Sequence, residues 1–219
     1  MLDVAVDKRL KDASQGKLHL GVVSATVTVM KNDPLLWAEI DEVIKGQTGY
    51  DLSSIAGLKQ VTSLRNVYRR LGKDPGRYRG SNEALLRRVA QGKGLYKINS
   101  VVDINNLVSI ESRRSVGSYD VTQIKGAVVF RVGKHGEQYQ GIGKDMINLD
   151  GLPVFCDGLG PFGSPTSDSE RACIRDATTR VMMIIISFDG DEGLQEQCRR
   201  AATLLEKYVD AYDFETVVV

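Results

Sequence analysis

The chain has 219 residues, of which 42% are apolar and 26% are charged, and its formal net charge at pH 7 is +1. This length and composition are typical of a soluble globular protein with one substantial hydrophobic core. They exclude a membrane-spanning helix, because the longest apolar run, Val181 to Ile186, has six residues and a spanning helix needs roughly 18. Charged side chains interrupt residues 1–20, so no secretory signal is predicted and we expect a cytoplasmic protein.

The first part of the chain is predicted to contain one strand and several helices. The partly alternating segment Leu18 to Val29 favours a half-buried strand. A helix is predicted to begin after Asp33, which is a candidate N-cap ahead of a proline. A second helix is predicted from about Gly57 to Leu71, and Ser81 is predicted to cap a third, short helix.

Glycine becomes frequent after residue 92, and short apolar runs such as Ala127 to Val132 and Leu152 to Cys156 lie between the glycines. This pattern predicts antiparallel or mixed sheets rather than parallel crossover units. A helix is predicted to begin at Ser167 or Asp168 and to run toward Thr178. Beyond it, a strand buried on both faces is predicted over residues 181–188, and a last helix over residues 194–212.

The basic and acidic side chains are unevenly distributed. Residues 65–93 contain nine Lys and Arg side chains but only Asp74 and Glu83, whereas residues 150–219 contain six basic and thirteen acidic side chains. The basic segment is compatible with a solvated helical surface and with a local, salt-sensitive contact to RNA.

The cysteines and histidines indicate no metal site. Cys156, Cys173 and Cys198 are widely spaced and form no CxxC pair, which predicts reduced, structural cysteines. His19 and His135 lie in no recognisable catalytic motif, and His135 falls in a predicted hairpin turn. We therefore expect neither a bound metal nor a cofactor.

Several segments in the second half of the chain occur in a characteristic order. They are Leu86 to Ser112, which contains Ile98 to Asn106, followed by Gly117 to Asp120, Ile124 to Val132, Val154 to Ser164 and Thr178 to Ile186. This order and spacing resembles the B3/B4 domain, the aminoacyl-tRNA editing module of the β subunit of bacterial phenylalanyl-tRNA synthetases. The resemblance covers about residues 79–187.

The resemblance implies an α+β fold with β-sandwich-like mixed and antiparallel sheets flanked by helices. We expect a single B3/B4-like domain over residues 1–219. In it an N-terminal strand and helices occupy residues 1–78, the motif-bearing core residues 79–187, and a C-terminal helical tail residues 188–219.

Asp103 is predicted to cap the helix within the first of these segments. Asn105 and Asn106 would then lie in its first turn beside free backbone N–H groups, where they could bind a carboxylate, an ester carbonyl or a phosphate. The alternative interpretation is that the two asparagines are ordinary capping and turn residues that bind no ligand.

The chain departs from the family pattern at three places. Gly117 stands where the family has a histidine, Asn105 stands where it has a threonine, and the apolar run 181–186 lacks an expected glutamate. The family's side chains at these places are associated with recognising and hydrolysing a mischarged tyrosyl ester. The amino-acid specificity therefore cannot be carried over.

Two further segments, Arg79 to Glu83 and Pro165 to Arg171, resemble independent proteins of this family. Arg79 and Arg171 could bind a carboxylate or phosphate, and Glu83 and Asp168 an α-ammonium group. Helix caps and surface charges are the alternative interpretation for these residues. Gly158 lies in a glycine-rich loop that could offer oxyanion donors or be a plain turn.

The expected site is a single pocket that binds substrate, and no catalytic residue is identified. Its predicted residues are Arg79, Ser81, Glu83, Asn105, Asn106, Tyr119, Asp120, Gly158, Asp168 and Arg171.

Two functions fit these observations. The first is a free-standing editing-type domain that recognises, and hydrolyses, mischarged aminoacyl-tRNA, with the tRNA acceptor end as its partner. The alternative is a non-catalytic module that binds an amino-acid-like ligand or an RNA end. Ligase activity is not expected, because the chain is short and contains no adenylate-forming motif. No membrane partner is expected, and the oligomeric state is not predicted.

Overall fold

The computed structural model describes residues 3–47, 49 and 51–219, and it contains ten strands. The strands are β1 Val4–Val6, β2 His19–Thr26, β3 Ser115–Asp120, β4 Val128–Val132, β5 Gln138–Gln140, β6 Met146–Asn148, β7 Pro153–Asp157, β8 Gly160–Gly163, β9 Arg180–Ser187 and β10 Tyr212–Val218. The helices are α1 Lys8–Ala13, α2 Pro34–Gly46, α3 Leu52–Gly57, α4 Lys59–Arg70, α5 Ser81–Ala90, α6 Ser100–Ser112 and α7 Leu194–Val209.

The strands form two four-stranded sheets and a hairpin. The first sheet has the order β1-β4-β7-β8, with β1 parallel to β4 and the other pairs antiparallel. The second sheet has the order β10-β2-β9-β3 and is antiparallel throughout. β5 and β6 pair only with each other. The predicted α+β class with mixed and antiparallel sheets is confirmed.

Two apolar layers hold the sheets and helices together. Between the sheets, the rings of Phe130 and Phe155 stack with centroids 4.1 Å apart, and Tyr119 and Phe162 meet edge to face. On its other face the second sheet packs against α6 and α7, which also pack on each other. β9 lies in the middle of this arrangement, and Val181 to Ile186 are all buried, as predicted.

The helix predicted over about residues 57–71 is confirmed as α4. A separate short helix, α3, was not predicted and ends just before it, because Leu58 has a non-helical ψ of 136°. The last helix ends at Val209 rather than residue 212, since Asp210 takes a left-handed conformation. β10 follows and was not predicted. Most of its side chains are exposed at the sheet edge, so its apolar pattern is weak.

The helix predicted to begin at Ser167 or Asp168 is absent, because residues 164–178 contain neither helix nor strand apart from one bridge between Gly141 and Ser169. The Asp168 carboxylate accepts hydrogen bonds from residues outside any helix and therefore caps none. Within the described ranges, no helix is both long and apolar enough to cross a membrane.

A buried ion pair joins the start of β3 to the turn that follows β9. Arg114 and Asp189 are 3% and 2% exposed, and Nε of Arg114 lies 3.1 Å from Oδ1 of Asp189. The same guanidinium donates to Oε1 of Gln197 at 2.7 Å, and Ser187 donates to Asp189 at 2.9 Å. The charged groups of Arg114 and Asp189 are therefore both hydrogen-bonded and almost completely buried.

Removing Arg114 leaves the buried Asp189 carboxylate with only a long, 3.9 Å contact to the exposed Lys59 ammonium group to compensate its charge. Arg114→Ala is expected to lower the free energy of unfolding by about 3 to 5 kcal/mol, as measured by urea denaturation. Arg175→Ala removes an exposed arginine and is expected to stay within about 0.5 kcal/mol of wild type. Equal effects of the two changes would contradict this account.

Candidate active site

Tyr119 and Asp168 form the most distinctive polar contact among the predicted site residues. Tyr119 is fully buried between the two sheets, and its hydroxyl donates to Oδ1 of Asp168 at 2.9 Å. The backbone N–H of Ser164 donates to the same oxygen at 3.0 Å. Oδ2 of Asp168 forms no hydrogen bond within the part of the chain that the structure describes. The protein thus holds one carboxylate oxygen through two hydrogen bonds and the other through none among the described residues.

Two glycines make room for the Tyr119 ring. A Cβ atom placed on Gly117 would lie 2.7 Å from Cζ of Tyr119, and one placed on Gly163 would lie 2.6 Å from its Cε1. Both distances are too short for real contacts. Gly117, the position where the family has histidine, is therefore small for a packing reason. The space that a side chain at 117 would fill is taken by the tyrosine two residues later.

Burial determines the electrostatic state of Asp168. Loss of solvent raises the pKa of its carboxyl to about 6, and the hydrogen bonds from Ser164 and Tyr119 only partly oppose that rise. Burial, with the nearby Asp168 charge, likewise raises the pKa of the Tyr119 phenol well above its ordinary value. Tyr119 therefore remains a hydrogen-bond donor, while Asp168 can exchange a proton near neutral pH.

Asn105 and Asn106 lie on the opposite side of the sheet from this centre. The Ser118 hydroxyl donates to Oδ1 of Asn105 at 2.9 Å, and consecutive strand residues such as Ser118 and Tyr119 point to opposite faces. Nδ2 of Asn105 makes a 3.4 Å contact with Oδ1 of Asn106. β3 therefore separates the two asparagines from Asp168.

The predicted start of the asparagine helix was wrong. Asn99, not Asp103, is the N-cap of α6, and its side chain accepts from the Val102 N–H at 3.0 Å. Asp103 lies inside the first turn, where it accepts from the Trp37 indole at 2.9 Å. Asn105 is consequently in the second turn, where backbone N–H groups are already used by the helix.

Asp120 closes the end of β3. Its carboxylate accepts from the hydroxyls of Thr122 at 2.7 Å and Thr178 at 2.8 Å. Its backbone N–H donates to the Ala172 carbonyl at 3.0 Å. Asp120 thus ties the strand to the segment that carries Asp168, although its carboxylate is engaged by the protein itself.

The Arg171 guanidinium and the Gly158 N–H already form hydrogen bonds within the protein. The Arg171 guanidinium donates to both oxygens of Asp157, at 3.0 and 2.9 Å, and to the Gly160 carbonyl at 3.1 Å. Burial alone would raise the pKa of the Asp157 carboxyl, but the bonds from Arg171 and backbone outweigh it and the pKa is lowered. The Gly158 N–H donates to the Lys125 carbonyl at 2.9 Å, so it is not a free oxyanion donor.

Arg79, Ser81 and Glu83 lie at or just before the start of α5, where Arg79 lines a cleft whose lining residues do not include Arg171. Ser81 is not the N-cap of α5, because Gly80 holds that position, and the helix start has no side-chain capping bond. The Ser81 N–H donates instead to the Pro165 carbonyl at 2.8 Å. Glu83 is buried and paired with arginines, so its carboxylate is not available to an α-ammonium group.

Ser164 and Ser118 orient candidate site residues but were not among the predicted ones. The Gly163-Ser164-Pro165 sequence is typical of a turn whose serine bonds its own backbone, and that signal could have identified Ser164. Ser118 carries no such signal. Cys156 and Cys198 are buried, which raises the pKa of each thiol to about 11.

The raised pKa of the Asp168 carboxyl predicts a specific dependence of stability on pH. Between about pH 4 and pH 6 the folded chain retains a proton that the unfolded chain has lost, so stability falls as pH rises until the folded carboxyl is ionised. Asn at 168 has no such proton. Asp168→Asn is therefore expected to gain roughly 2 kcal/mol relative to wild type between pH 4 and pH 7, as measured by urea denaturation. Asp176→Asn, which removes an exposed carboxylate, should show no such gain, and a gain equal in both variants would contradict the assignment.

Comparisons with known proteins identify the family. The B3/4 domain model matches residues 63–217, which is more than half of the chain. The phenylalanine–tRNA ligase β subunit of Bartonella henselae is 39% identical over 94 residues, which are 42% of this chain and 11% of that protein. An N-terminal fragment of the phenylalanyl-tRNA synthetase β subunit of Pyrococcus horikoshii matches all of this chain and 54% of its own, at 12% identity and a TM-score of 0.48. The chain therefore spans a small part of the curated relative, and it belongs to the B3/4 domain family.

Proposed function

We propose that this chain binds the aminoacyl end of a charged tRNA beside Tyr119 and Asp168 and hydrolyses the ester. The single observation that carries the proposal is the Asp168 carboxylate, whose Oδ1 is held by Tyr119 and Ser164 while Oδ2 forms no bond within the described residues. Membership of the B3/4 domain family and the printed name of the relative, a tRNA ligase subunit, support the choice of substrate.

In this proposal Asp168 acts as the general base. Its carboxyl, with a pKa of about 6, is mostly ionised at pH 7 yet takes up a proton more readily than an ordinary carboxylate. Oδ2 would accept a proton from a water molecule as the water oxygen bonds to the ester carbonyl carbon. The same proton would then go to the ribose oxygen as the bond from that oxygen to the carbonyl carbon breaks.

The backbone of β3 offers a donor for the negative charge that develops on the ester. The Asp120 N–H points away from β9, because it bonds to the Ala172 carbonyl. In an antiparallel ladder alternate residues point the same way, so the Ser118 N–H also faces outward. A donor in this position would stabilise a tetrahedral intermediate.

A second candidate, binding without turnover, is favoured by the lack of a partner base. Tyr119 keeps its proton, His135 is 98% exposed in a turn, and His19 begins β2, where it pairs with Ser187. In this case Oδ2 of Asp168 would accept a hydrogen bond from an α-ammonium group. The family membership is compatible with both functions.

Deacylation of a panel of correctly charged and mischarged tRNAs tests the proposal. We expect selective hydrolysis of at least one mischarged species, and a rate about 10² to 10⁴ lower for Asp168→Asn, the range for loss of a general base. Asp176→Asn is the matched control, since it removes an exposed carboxylate, and should keep the wild-type rate.

A non-hydrolysable analogue separates the two candidates. If the wild-type chain binds 3′-aminoacylamido-adenosine but hydrolyses no member of the panel, the binding module is correct and the hydrolase is wrong. If Asp168→Asn hydrolyses as fast as wild type, Asp168 is not the base.

A further inference from the structure

A cleft along α5 combines positive charge with an exposed aromatic ring. Its volume is about 270 Å³, and none of its lining residues is acidic. We call it the arginine cleft; its principal lining residues are Arg79, Leu85, Arg87, Arg88, Lys93 and Tyr96. All of these residues except Tyr96 belong to the basic segment 65–93, which is compatible with a solvated surface and with an RNA contact.

Glu83 holds the arginines in place from beneath the cleft. Its carboxylate is 2% exposed and accepts from Arg65 at 2.6 Å, from Arg87 at 2.7 Å, and lies 3.4 Å from Nε of Arg79. One negative charge is therefore shared by three guanidinium groups. The cleft keeps a strong positive charge even though two of its arginines are fixed by an ion pair.

Arg88 has no acidic partner among the described residues. Its guanidinium carbon lies 3.7 Å from the centre of the Tyr96 ring, and its Nε is buried without a hydrogen bond. The Arg88 side chain forms no other hydrogen bond or ion pair within the described ranges. The Arg88 guanidinium therefore has no acidic partner among the described residues, and a phosphate oxygen is the kind of acceptor that a guanidinium binds well.

Tyr96 is the feature that distinguishes nucleic acid from an acidic peptide. It is 54% exposed and stacked on Arg88, so it offers a flat apolar and cationic surface beside the phosphate donors. Bases of single-stranded RNA stack on such surfaces regardless of sequence. A carboxylate-rich peptide would use the charges but not the ring.

We propose that the arginine cleft binds single-stranded RNA, with phosphates on Arg88 and Lys93 and a base stacked on Tyr96. The inference deepens the proposed function and rests on it for the identity of the RNA, the acceptor end of a tRNA. The Ser81 N–H at the start of α5 bonds to Pro165, three residues before Asp168. The start of α5, which carries the cleft, is thus tied to the segment that carries Asp168.

The cleft is tested by measuring the binding of a fluorescently labelled single-stranded RNA that ends in CCA and carries no aminoacyl group. Tyr96→Ala is expected to raise Kd roughly 5- to 150-fold, the range for loss of one stacked base, whereas Tyr96→Phe keeps the ring and should stay within about twofold. Arg88→Ala should weaken binding and reduce the salt slope of log K by about 0.7. Arg9→Ala, which removes an exposed arginine of α1 outside the cleft, should change neither value.

The outcomes separate this inference from the proposed function. Wild-type RNA affinity in folded Tyr96→Ala and Arg88→Ala chains would overturn the cleft and leave deacylation at Asp168 standing. Loss of RNA binding in both variants, with no deacylation by wild type, would keep the cleft and overturn the hydrolase. Equal competition by polyglutamate, together with insensitivity to Tyr96→Ala, would mean that the cleft recognises charge alone and would also overturn the inference.

Discussion

The fit of Tyr119 between two glycines is the constraint on which the rest of the candidate site depends. Gly117 and Gly163 come from different sheets, and neither could carry even a methyl group without displacing the tyrosine ring. The buried hydroxyl needs a partner, and Asp168 supplies it. The packing of the two sheets therefore fixes the position of a carboxylate whose own segment has no regular secondary structure.

The buried carboxylates of this chain differ in how their charge is compensated. Glu83 and Asp189 are paired with arginines at short distance, so that Glu83 ties α5 to α4 and Asp189 ties the turn after β9 to the start of β3. Asp168 has only neutral donors. Asp103 resembles it in having a raised pKa caused by burial, but both Asp103 oxygens are bonded, to Ile98 and Trp37. Asp168 combines a raised pKa with an oxygen that is unbonded among the described residues, which is why we propose it as the general base.

The sequence predicts those parts of the fold that depend on local patterns. Asp33 caps α2 as its position before a proline indicates, and the apolar run of β9 is buried on both faces. The segment after Ser167 resembles a helix start, but Asp168 bonds to Ser164 and to Tyr119, 49 residues away. A contact between residues so far apart in the chain produces no periodic pattern in the sequence. The sequence therefore identifies Asp168 as a candidate but not the tyrosine bond that positions it.

The most direct test of the central claim is an NMR titration of the Asp168 carboxyl carbon, with and without 3′-aminoacylamido-adenosine. The account predicts a pKa of about 6 in the free chain and a clear change when the analogue binds. Although burial opposes it, pairing with Arg171 lowers the pKa of the Asp157 carboxyl. Its signal should not change when the analogue binds. An Asp168 carboxyl that titrates near its ordinary value of 3.8, unaffected by the analogue, would contradict the assignment of this centre as the functional site.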